Sequence, residues 1–443
     1  MGRKRPACGA VPRNSTDRPL SLEKQGFSRS IPASILFPKP GPPTIGDMTE
    51  RQFATDVVQT LRAAGYEAIF AGGCVRDMLL GLEPDDFDVA TSARPEEVRR
   101  LFRHTIAVGA SFGVIEVLGP KPLKVQVATF RSEGPYSDGR HPDSVAFTTA
   151  REDALRRDFT INGMFFDPVE NRIIDYVAGE TDLKQSILRA IGEPSARFRE
   201  DHLRMLRAVR FAARFGLTIE PITMSAIRQM AAQVVSVSGE RIAEELRKLF
   251  VHPNRATGVE LLMQSGLWPV LFPETPKLSA TNAIDQLGAS ASITSGLASL
   301  LGELSAKQLD GIADRLRLSN VERSRLLFLA ANRHALAQPD QLPLHVLKPL
   351  LAHADIGELL AVHRALSHSA GGDYCAARLA EWSLDVLDPP PLLTGDDLKT
   401  MELKPGPRFK IILDAVRSAQ LDGIISTRDE AARLVESMRD QSS

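Results

Sequence analysis

The chain has few of the features that mark secreted or membrane proteins. It contains three cysteines in 443 residues, Cys8, Cys74 and Cys375. They are too few and too scattered for a disulfide framework or a zinc site, and they suit a reducing cytoplasm, which is the location we predict. No apolar run approaches the roughly 18 residues that a membrane-spanning helix needs, so we expect no membrane segment.

The chain also has almost no excess of charge. Its 54 Lys and Arg residues nearly balance 55 Asp and Glu residues, and the formal net charge is −1. A nucleic-acid partner is therefore not indicated by overall charge and would have to meet a local basic surface. The length predicts two or more domains with a sizeable core.

Residues 1–47 differ from the rest in composition. They contain eight Lys or Arg against three Asp or Glu, and a cluster of prolines at Pro32, Pro38, Pro40, Pro42 and Pro43. We predict a disordered extension, because little periodic apolar pattern is present. The prolines argue against a transit peptide. Our hypothesis is that the segment is dispensable and that Met48 is the natural start, which the intact mass of the native protein would test.

Ordered structure is expected from Thr49 onwards. Thr49 and Gln52 have the spacing of a capping box, which predicts a helix. The run EAIFA predicts a buried strand that ends at Gly72 and Gly73, and residues 86–90 alternate as a second strand does. GVIEVLG and KVQVATF predict a pair of strands. The expected fold is an α/β head with a small mixed sheet and helices, followed from about residue 180 by an all-α region.

The segment AGGCVRDMLLGLEPDDFDVAT carries the strongest chemical signal. Alternate residues of a strand share a face, so Asp86 and Asp88 would project together and favour a cation between them. Mg²⁺ binds one or two carboxylates together with substrate phosphates. Gly72 and Gly73 would let phosphates approach a helix start, where Arg76 adds positive charge. Each motif alone is common on solvated edges and turns, but their order predicts metal-assisted attack on a nucleoside triphosphate.

Two later segments hold further charged candidates. In RRDFTIN, Arg157, Asp158 and Asn162 could hold phosphate and ribose, or they could belong to a capped helix with an internal Arg–Asp pair. REDHLRMLRAVRFAARFG predicts an arginine-rich helix with a partly buried face. On it Asp201 and Arg204 would share a face, either as a salt bridge or as a pair that reads a base.

These segments together resemble the class II tRNA nucleotidyltransferase and bacterial poly(A) polymerase family. GGCVRDMLLG and DDFDVAT are similar to its signature, and RRDFTINGMFFDP, REDHLRMLRAVRFAARFG, SGERIAEELRKLF and TGDDLKTMELKPGPRFKIIL resemble later motifs in the same order. The resemblance implies an α/β nucleotidyltransferase head followed by a helical neck, body and tail. The expected boundaries are 1–47 for the extension, 48–178 for the catalytic head, 179–270 for the neck, 271–390 for the body and 391–443 for an RNA-binding tail.

The resemblance also implies an activity, its substrates and its residues. The expected reaction is the addition of CCA, from CTP and ATP, to the 3′ end of tRNA, with release of pyrophosphate and with no obligate protein partner. Asp86 and Asp88 would hold Mg²⁺ and be catalytic. Asp201 and Arg204 would match the family's protein template for the incoming base. The implied nucleotide-binding residues are Gly72, Gly73, Arg76, Arg157, Asp158, Asn162, Asp201, Arg204 and Arg207.

One loop and one departure complete these expectations. Residues 132–147 predict a mobile loop, and the resemblance gives it, with Arg140, a part in the change from C to A addition. Many family members carry a third acidic residue where this chain has Gln126. Glu116 on the neighbouring predicted strand could take its place, in which case Glu116→Ala should cost far more turnover than Gln126→Ala.

Three alternatives to CCA addition stay open from the sequence. A poly(A) polymerase would usually carry a Gly-Arg-Arg-Phe run, which AVGASFGVIEV lacks. A partial enzyme would add only CC or only A. A catalytically inactive RNA-binding homologue is favoured only by Gln126.

In the tail, residues 404–410 either contact RNA or simply join two helices.

Overall fold

The first helix begins where the capping-box spacing predicts. The side chain of Gln52 accepts a hydrogen bond from the backbone of Thr49 (2.9 Å), and the hydroxyl of Thr49 accepts one from the backbone of Gln52 (3.2 Å). Gly65, with φ +89°, lies just beyond the end of this helix and turns the chain toward the first strand.

The structure is a computed structural model that describes residues 48–109, 113–134, 144–278, 281–367 and 370–440. Within these ranges no helix has the length and apolar character to cross a membrane. The predictions for residues 1–47 and for Arg140 fall outside the described residues. The head elements, in chain order, are α1 (Glu50–Ala63), β1 (Ala68–Ala71), α2 (Gly73–Leu79), β2 (Asp88–Thr91), α3 (Pro95–Leu101), β3 (Thr105–Gly109), β4 (Val114–Leu118), β5 (Lys124–Thr129), β6 (Arg131–Glu133), β7 (Val145–Phe147), α4 (Ala150–Leu155), β8 (Phe165–Asp167), β9 (Arg172–Ile174), α5 (Gly179–Lys184) and β10 (Ile187–Leu188).

Seven of these strands form one mixed sheet in the order β3-β4-β5-β2-β1-β8-β9. Strands β2 and β5 are parallel, and the other neighbours are antiparallel. The predicted α/β head with a small mixed sheet is therefore confirmed. Phe87, Val89 and Val127 belong to the main apolar core, whereas Ile69 and Ala90 belong to a second apolar cluster.

The second strand begins later than predicted. It starts at Asp88, so Asp86 lies in the preceding loop and does not share a strand with it. On one side, β1 ends at Ala71 and its pairing with β2 includes Phe70 opposite Val89, so residue 86 has no partner on β1.

The predicted loop at 132–147 is partly regular. Strands β6 and β7 pair as an antiparallel ribbon, with Arg131 opposite Phe147 and Glu133 opposite Val145. The connecting residues 135–143 are not among those described. The two short strands that flank the connection were not predicted, because the segment is polar and contains glycine and so lacks a clear strand pattern.

Helices make up most of the remaining described chain, as predicted. Their order is α6 (Pro194–Glu200), α7 (Leu203–Phe215), the short β11 (Thr218–Ile219), α8 (Pro221–Met230), α9 (Gly239–Phe250), α10 (Arg255–Gln264), α11 (Leu267–Leu271), α12 (Ile293–Leu301), α13 (Ala306–Arg315), α14 (Asn320–Asn332), α15 (Leu344–Ala352), α16 (Ile356–Ser367), α17 (Gly371–Glu381), α18 (Leu384–Leu387), α19 (Gly395–Thr400), α20 (Pro407–Leu421) and α21 (Arg428–Asp440).

The arginine-rich segment forms two helices where one was predicted. The break falls at Asp201, whose backbone is extended (φ −150°, ψ 105°) and whose side chain accepts a hydrogen bond from the N–H of Leu203 (3.0 Å). A short polar side chain that bonds the backbone two residues on competes with helix continuation. Arg199 therefore lies on α6, whereas Arg204 lies on α7.

The last two hundred residues contain two groups of buried apolar side chains. Helices up to α18 share the main core with the head, whereas the last three helices enclose a separate cluster. That cluster consists of Leu393, Leu398, Ile412, Val416, Ile425, Ala431 and Val435. Residues 401–406 join α19 to α20, so the basic run at 404–410 does connect two helices. Its contact with RNA, like the domain boundaries, stays a prediction.

Candidate active site

The glycine turn after β1 is built for close approach. Gly72 has φ +73° and ψ −120°, and a Cβ at this position would lie 2.7 Å from Nη1 of Arg157. Its backbone N–H donates to the carbonyl of Met164 at 3.1 Å. Only glycine combines this backbone with this contact, and the result places Arg157 against the turn that precedes α2.

The two aspartates lie at the same end of the sheet as this turn. Phe70 pairs with Val89, which puts the end of β1 beside Asp88. Burial and then the negative charge of Asp86 raise the pKa of Asp88 and Arg157 lowers it, and the net result is a pKa of about 6. Asp86 itself is exposed. Because the two negative charges repel each other, a cation bound by both carboxylates would offset that repulsion.

This pair fits a metal that shares its ligands with a substrate. Among the described residues no group of three or more His, Cys, Asp or Glu side chains is arranged to hold a metal ion. Two carboxylates with open positions beside them match the preference of Mg²⁺ for one or two protein carboxylates completed by phosphate and water oxygens. Asp86 and Asp88 are the residues that would hold such an ion.

The candidate third residues lie in a row across the sheet. Gln126 on β5 is directly opposite Asp88, and Glu116 on β4 is directly opposite Gln126. Side chains in such register share a face. Gln126 is exposed, whereas Glu116 is one strand farther from Asp88 and pairs with Lys124 at 3.2 Å.

A chain of hydrogen bonds joins α2, which carries Arg76, to α7. Arg76 donates from Nη1 to Oδ1 of Asn162 (2.5 Å), Asn162 donates from Nδ2 to Oδ1 of Asp158 (3.0 Å), and Arg207 donates from Nε and Nη2 to Oδ2 of Asp158 (2.9 and 2.6 Å). Burial alone would raise the pKa of Asp158, but the charge of Arg207 and the hydrogen bonds from Asn162 and Arg207 lower it to about 2. The carboxylate is therefore ionised and well bonded.

Arg76 is buried within this chain of contacts. Its Nε donates to Oδ1 of Asp77 (2.8 Å), and its guanidinium lies 4.3 Å from the ring centroid of Phe215 and 5.2 Å from that of Phe211. Both rings belong to α7. Arg76 thus ties α2 to α7, while its contact with a triphosphate stays a prediction.

Arg157 pairs with an aspartate that lies outside the segment RRDFTIN. Its Nε and Nη2 donate to Oδ2 of the buried Asp153 (3.1 and 3.0 Å), and its Nη1 donates to the carbonyl of Asn162 (3.3 Å). Asp153 also accepts from the backbone of Arg131 at the start of β6 (3.3 Å). The guanidinium is consequently fixed beside Gly72, where a phosphate would approach.

Asp201 and Arg204 are held by other residues and do not form a salt bridge with each other. Asp201 accepts from Nη1 and Nη2 of Arg241 on α9 (3.2 and 2.7 Å). Arg204 pairs with Glu200 and donates to the carbonyl of Arg197 (3.1 Å). The simpler alternative, an i,i+3 bridge between them, is wrong, and both side chains are oriented by partners.

The sequence did not identify Arg241 as a partner, nor Glu245 on the same helix. Arg241 and Glu245 lie in SGERIAEELRKLF, a segment that was recognised without assigning a role to any residue. Glu245 binds Nε of Arg210 at 2.5 Å, with both side chains buried. A signal was present, since Glu245 falls beside Ile242 and Leu246 on the apolar face of α9, where an acidic residue needs a partner.

The fold and the site place this chain in the class of proteins that have a poly A polymerase head domain. The family model described as "Poly A polymerase head domain" matches residues 68–189, and "Probable RNA and SrmB- binding site of polymerase A" matches residues 216–278. A CCA-adding enzyme of Lactobacillus johnsonii is 32% identical over 389 residues, which cover 85% of this chain and 95% of that enzyme. The chain belongs to the family of CCA-adding enzymes and poly(A) polymerases.

Further relatives differ in how much of their length is matched. A CCA-adding enzyme of Levilactobacillus brevis is 43% identical over 220 residues, which cover 49% of this chain and 55% of that enzyme. The chain thus matches little more than half the length of this relative. The crystal structure of the Bacillus stearothermophilus CCA-adding enzyme in complex with CTP superposes with a TM-score of 0.74 at 28% identity, covering 89% of this chain and 99% of that one.

A more distant structure shares the fold. The Thermotoga maritima CCA-adding enzyme complexed with tRNA has a TM-score of 0.61 at 20% identity, covering 87% of this chain and 94% of that one. At this identity the likeness shows the fold alone. It extends through the helical region that follows the sheet.

Proposed function

We propose that this protein adds CCA to the 3′ end of tRNA, with CTP and ATP as substrates and pyrophosphate as the second product. The observation that carries the proposal is the pair Asp86 and Asp88 beside the turn at Gly72, with the pKa of Asp88 raised to about 6. The names of the relatives support CCA addition over a poly(A) polymerase. A cytoplasmic location stays a prediction.

The residues at the end of the sheet would bind the reacting phosphates. Asp86 and Asp88 would hold Mg²⁺, and the fixed guanidinium of Arg157 would face the triphosphate across Gly72 and Gly73. When bound there, Mg²⁺ makes a hydroxyl more acidic and offsets the charge of the leaving pyrophosphate. The 3′-hydroxyl of tRNA would then attack the α-phosphate of the nucleotide.

The residues at the start of α7 would read the base. Cytosine and adenine both present an exocyclic amino group, whereas uracil and guanine present a carbonyl at the corresponding position. A carboxylate accepts and an arginine donates, so Asp201 and Arg204 can select C and A without a nucleic-acid template. Asp158, Asn162, Arg76 and Arg207 would align this helix with the phosphate end of the site.

The change from C to A requires a further element. In our proposal the segment at 132–147, including Arg140, supplies it. The described part of this segment is compatible with such a link, because the start of β6 is bonded to Asp153, which also holds Arg157. The helical region after the sheet would bind the tRNA acceptor arm by its shape.

Purified protein with Mg²⁺ and three tRNA transcripts tests the proposal. The transcripts end before CCA, after C and after CC, and each receives CTP, ATP or both. Completion to CCA on all three, with no further extension, is the expected result. Asp88→Asn should abolish the reaction, whereas the matched control Asp85→Asn, at an 88% exposed side chain, should retain it.

The other outcomes separate the remaining functions. Long ATP-only tails would identify a poly(A) polymerase, and extension of only some transcripts would identify a partial enzyme. Absence of any incorporation would favour an inactive RNA-binding homologue and would direct attention to Gln126.

A further inference from the structure

Arg241 donates hydrogen bonds to both carboxylate oxygens of Asp201. Oδ1 of Asp201 accepts from the backbone N–H of Leu203 (3.0 Å) and from Nη1 of Arg241 (3.2 Å), while Oδ2 accepts from Nη2 of Arg241 (2.7 Å). The side chains of Asp201 and Arg241 are 15% and 24% exposed. The pair is therefore mostly covered by protein but remains open on one side.

The count of acceptor positions has a direct consequence. Each carboxylate oxygen accepts about two hydrogen bonds. Oδ1 already has two donors and Oδ2 has one, so a single acceptor position is left, and its direction is fixed by the two-point contact with the guanidinium. Such a bidentate contact sets the plane of the carboxylate as well as its place.

We propose that Arg241 is a positioning residue that determines base specificity by leaving Asp201 one directed acceptor. This inference rests on the proposed function of Asp201 as a reader of the incoming base. An exocyclic amino group satisfies the single position, whereas a carbonyl oxygen placed there meets a fixed negative oxygen that cannot turn away. UTP and GTP are rejected by that repulsion, since two acceptor oxygens without a donor between them are costly in a partly buried site.

Removal of Arg241 relaxes this constraint. Asp201 then has three vacant acceptor positions and can rotate about its last side-chain bond, so the carboxylate can avoid a carbonyl oxygen. The affinity for the correct base falls only modestly, because an acceptor is still present. The effect on discrimination therefore exceeds the effect on turnover with the correct nucleotide.

Helix α9 supplies a matched control. Arg247 also makes a two-point contact, with Glu322 at 2.8 and 3.0 Å, and it also lies on α9. Its partner belongs to α14 and takes no part in the proposed site. Arg247→Gln thus removes the same kind of interaction from the same helix without touching Asp201.

The experiment compares kcat/KM for CTP and for UTP on a tRNA transcript that ends before CCA. Arg241→Gln should lower the ratio of CTP to UTP by about tenfold or more, the usual effect of one charge-assisted hydrogen bond. Arg241→Lys, which keeps one charged donor, should fall between this variant and the native protein. Arg247→Gln should leave the ratio unchanged.

A structural role alone predicts a different pattern. If Arg241→Gln and Arg241→Lys lower kcat/KM for both nucleotides equally, with the ratio unchanged, the inference is overturned. Arg241→Lys keeps the test decisive if Arg241→Gln does not fold. Should the native protein add only ATP, the proposed function fails, but the ratio of ATP to GTP incorporation measures the same effect of Arg241. No incorporation by the native protein would overturn both.

Discussion

Arg207 on α7 donates two hydrogen bonds, of 2.9 and 2.6 Å, to a single carboxylate oxygen of Asp158. The two residues lie 49 positions apart, and their contact attaches the helix that carries Arg204 to the segment that carries Arg157. Asp158 is buried, whereas the side chain of Arg207 is 34% exposed. The base-reading and phosphate-binding parts of the proposed site are therefore aligned through this pair.

This pair predicts a loss of stability at acid pH. The pKa of Asp158 is about 2 in the folded protein, below its ordinary value of 3.8. Because the folded pKa is lower, the pair stabilises the protein above about pH 4, and that contribution disappears as the pH falls from about 4 to 2. Arg207→Gln should lower the free energy of unfolding at neutral pH by about 1–3 kcal/mol, a value reduced for the exposure of Arg207.

Urea denaturation at neutral pH and near pH 3 measures both effects. Arg207→Gln should lose part of the difference in stability between the two pH values. The control is Arg214→Gln on the same helix, whose contact with the exposed Asp85 is 3.9 Å. If both variants showed the same pH dependence as the native protein, the attribution to Asp158 would be wrong.

The raised pKa of Asp88 predicts the opposite dependence. Its pKa moves from 3.8 to about 6, first through burial and then through the charge of Asp86. The folded protein then binds the proton more tightly than the unfolded chain, so metal-free stability falls as the pH rises from about 4 to 6. Asp88→Asn removes this cost and should raise the free energy of unfolding without metal by about 1–3 kcal/mol at neutral pH.

Thermal or chemical unfolding in the presence of a chelator checks this expectation, followed by addition of Mg²⁺. The native protein should gain stability with Mg²⁺, and Asp88→Asn should not, because a ligand that binds only the folded state stabilises it. Asp85→Asn serves as the neighbouring control and should resemble the native protein. An Asp88→Asn variant less stable than the native protein without metal would contradict the prediction.

Local patterns explain which parts of the fold and site were predictable. The capping box at Thr49 and the strand before Gly72 depend on neighbouring residues, and both appear where predicted. The start of β2 was misplaced by two residues, because the alternation of residues 86–90 continues into the loop before the strand. The break at Asp201 was missed, because one side chain replaces the backbone bonds of a continuous helix.

Long-range partners explain the rest. Arg241 lies 40 residues from Asp201, and Arg207 lies 49 residues from Asp158. No spacing rule along one chain joins such residues, so the sequence could mark the charged side chains without saying which would meet. The resemblance to a family assigned roles to several residues, but it did not reveal the partners that fix their orientation.

The row formed by Asp88, Gln126 and Glu116 predicts the effect of restoring a carboxylate. Gln126 is the direct neighbour of Asp88, and Glu116 is one strand farther and paired with Lys124. Gln126→Glu should therefore lower the Mg²⁺ concentration needed for half-maximal turnover, because a third carboxylate would stand beside the proposed metal ligands. Titration of activity with Mg²⁺ measures this change.

The same row bears on the sequence-based expectation for alanine variants. That expectation was a larger loss of turnover for Glu116→Ala than for Gln126→Ala. The register favours the reverse order, since Gln126 is nearer to Asp88. A markedly larger loss for Glu116→Ala, with its Mg²⁺ requirement also raised, would show that the glutamate reaches the metal after all.

The backbone at Gly72 predicts a sharp effect of a single methyl group. Gly72→Ala would combine a positive φ, which costs about 1–3 kcal/mol for an ordinary residue, with a Cβ only 2.7 Å from Nη1 of Arg157. Arg157 would have to move, and its contacts with Asp153 would weaken. Gly81→Ala is the matched control, because its φ is +70° but nothing lies within 4 Å of its Cβ.

Both variants should lose stability from backbone strain. Only Gly72→Ala should also lose activity under conditions where the protein remains folded. The measurement pairs chemical denaturation with kcat/KM for CTP at a temperature where both variants remain folded. We expect Gly81→Ala to keep nearly native turnover and Gly72→Ala to lose at least tenfold, since about 1.4 kcal/mol of misplaced binding suffices for that factor. Equal turnover in the two variants would mean that the position of Arg157 beside the glycine turn does not matter for the reaction.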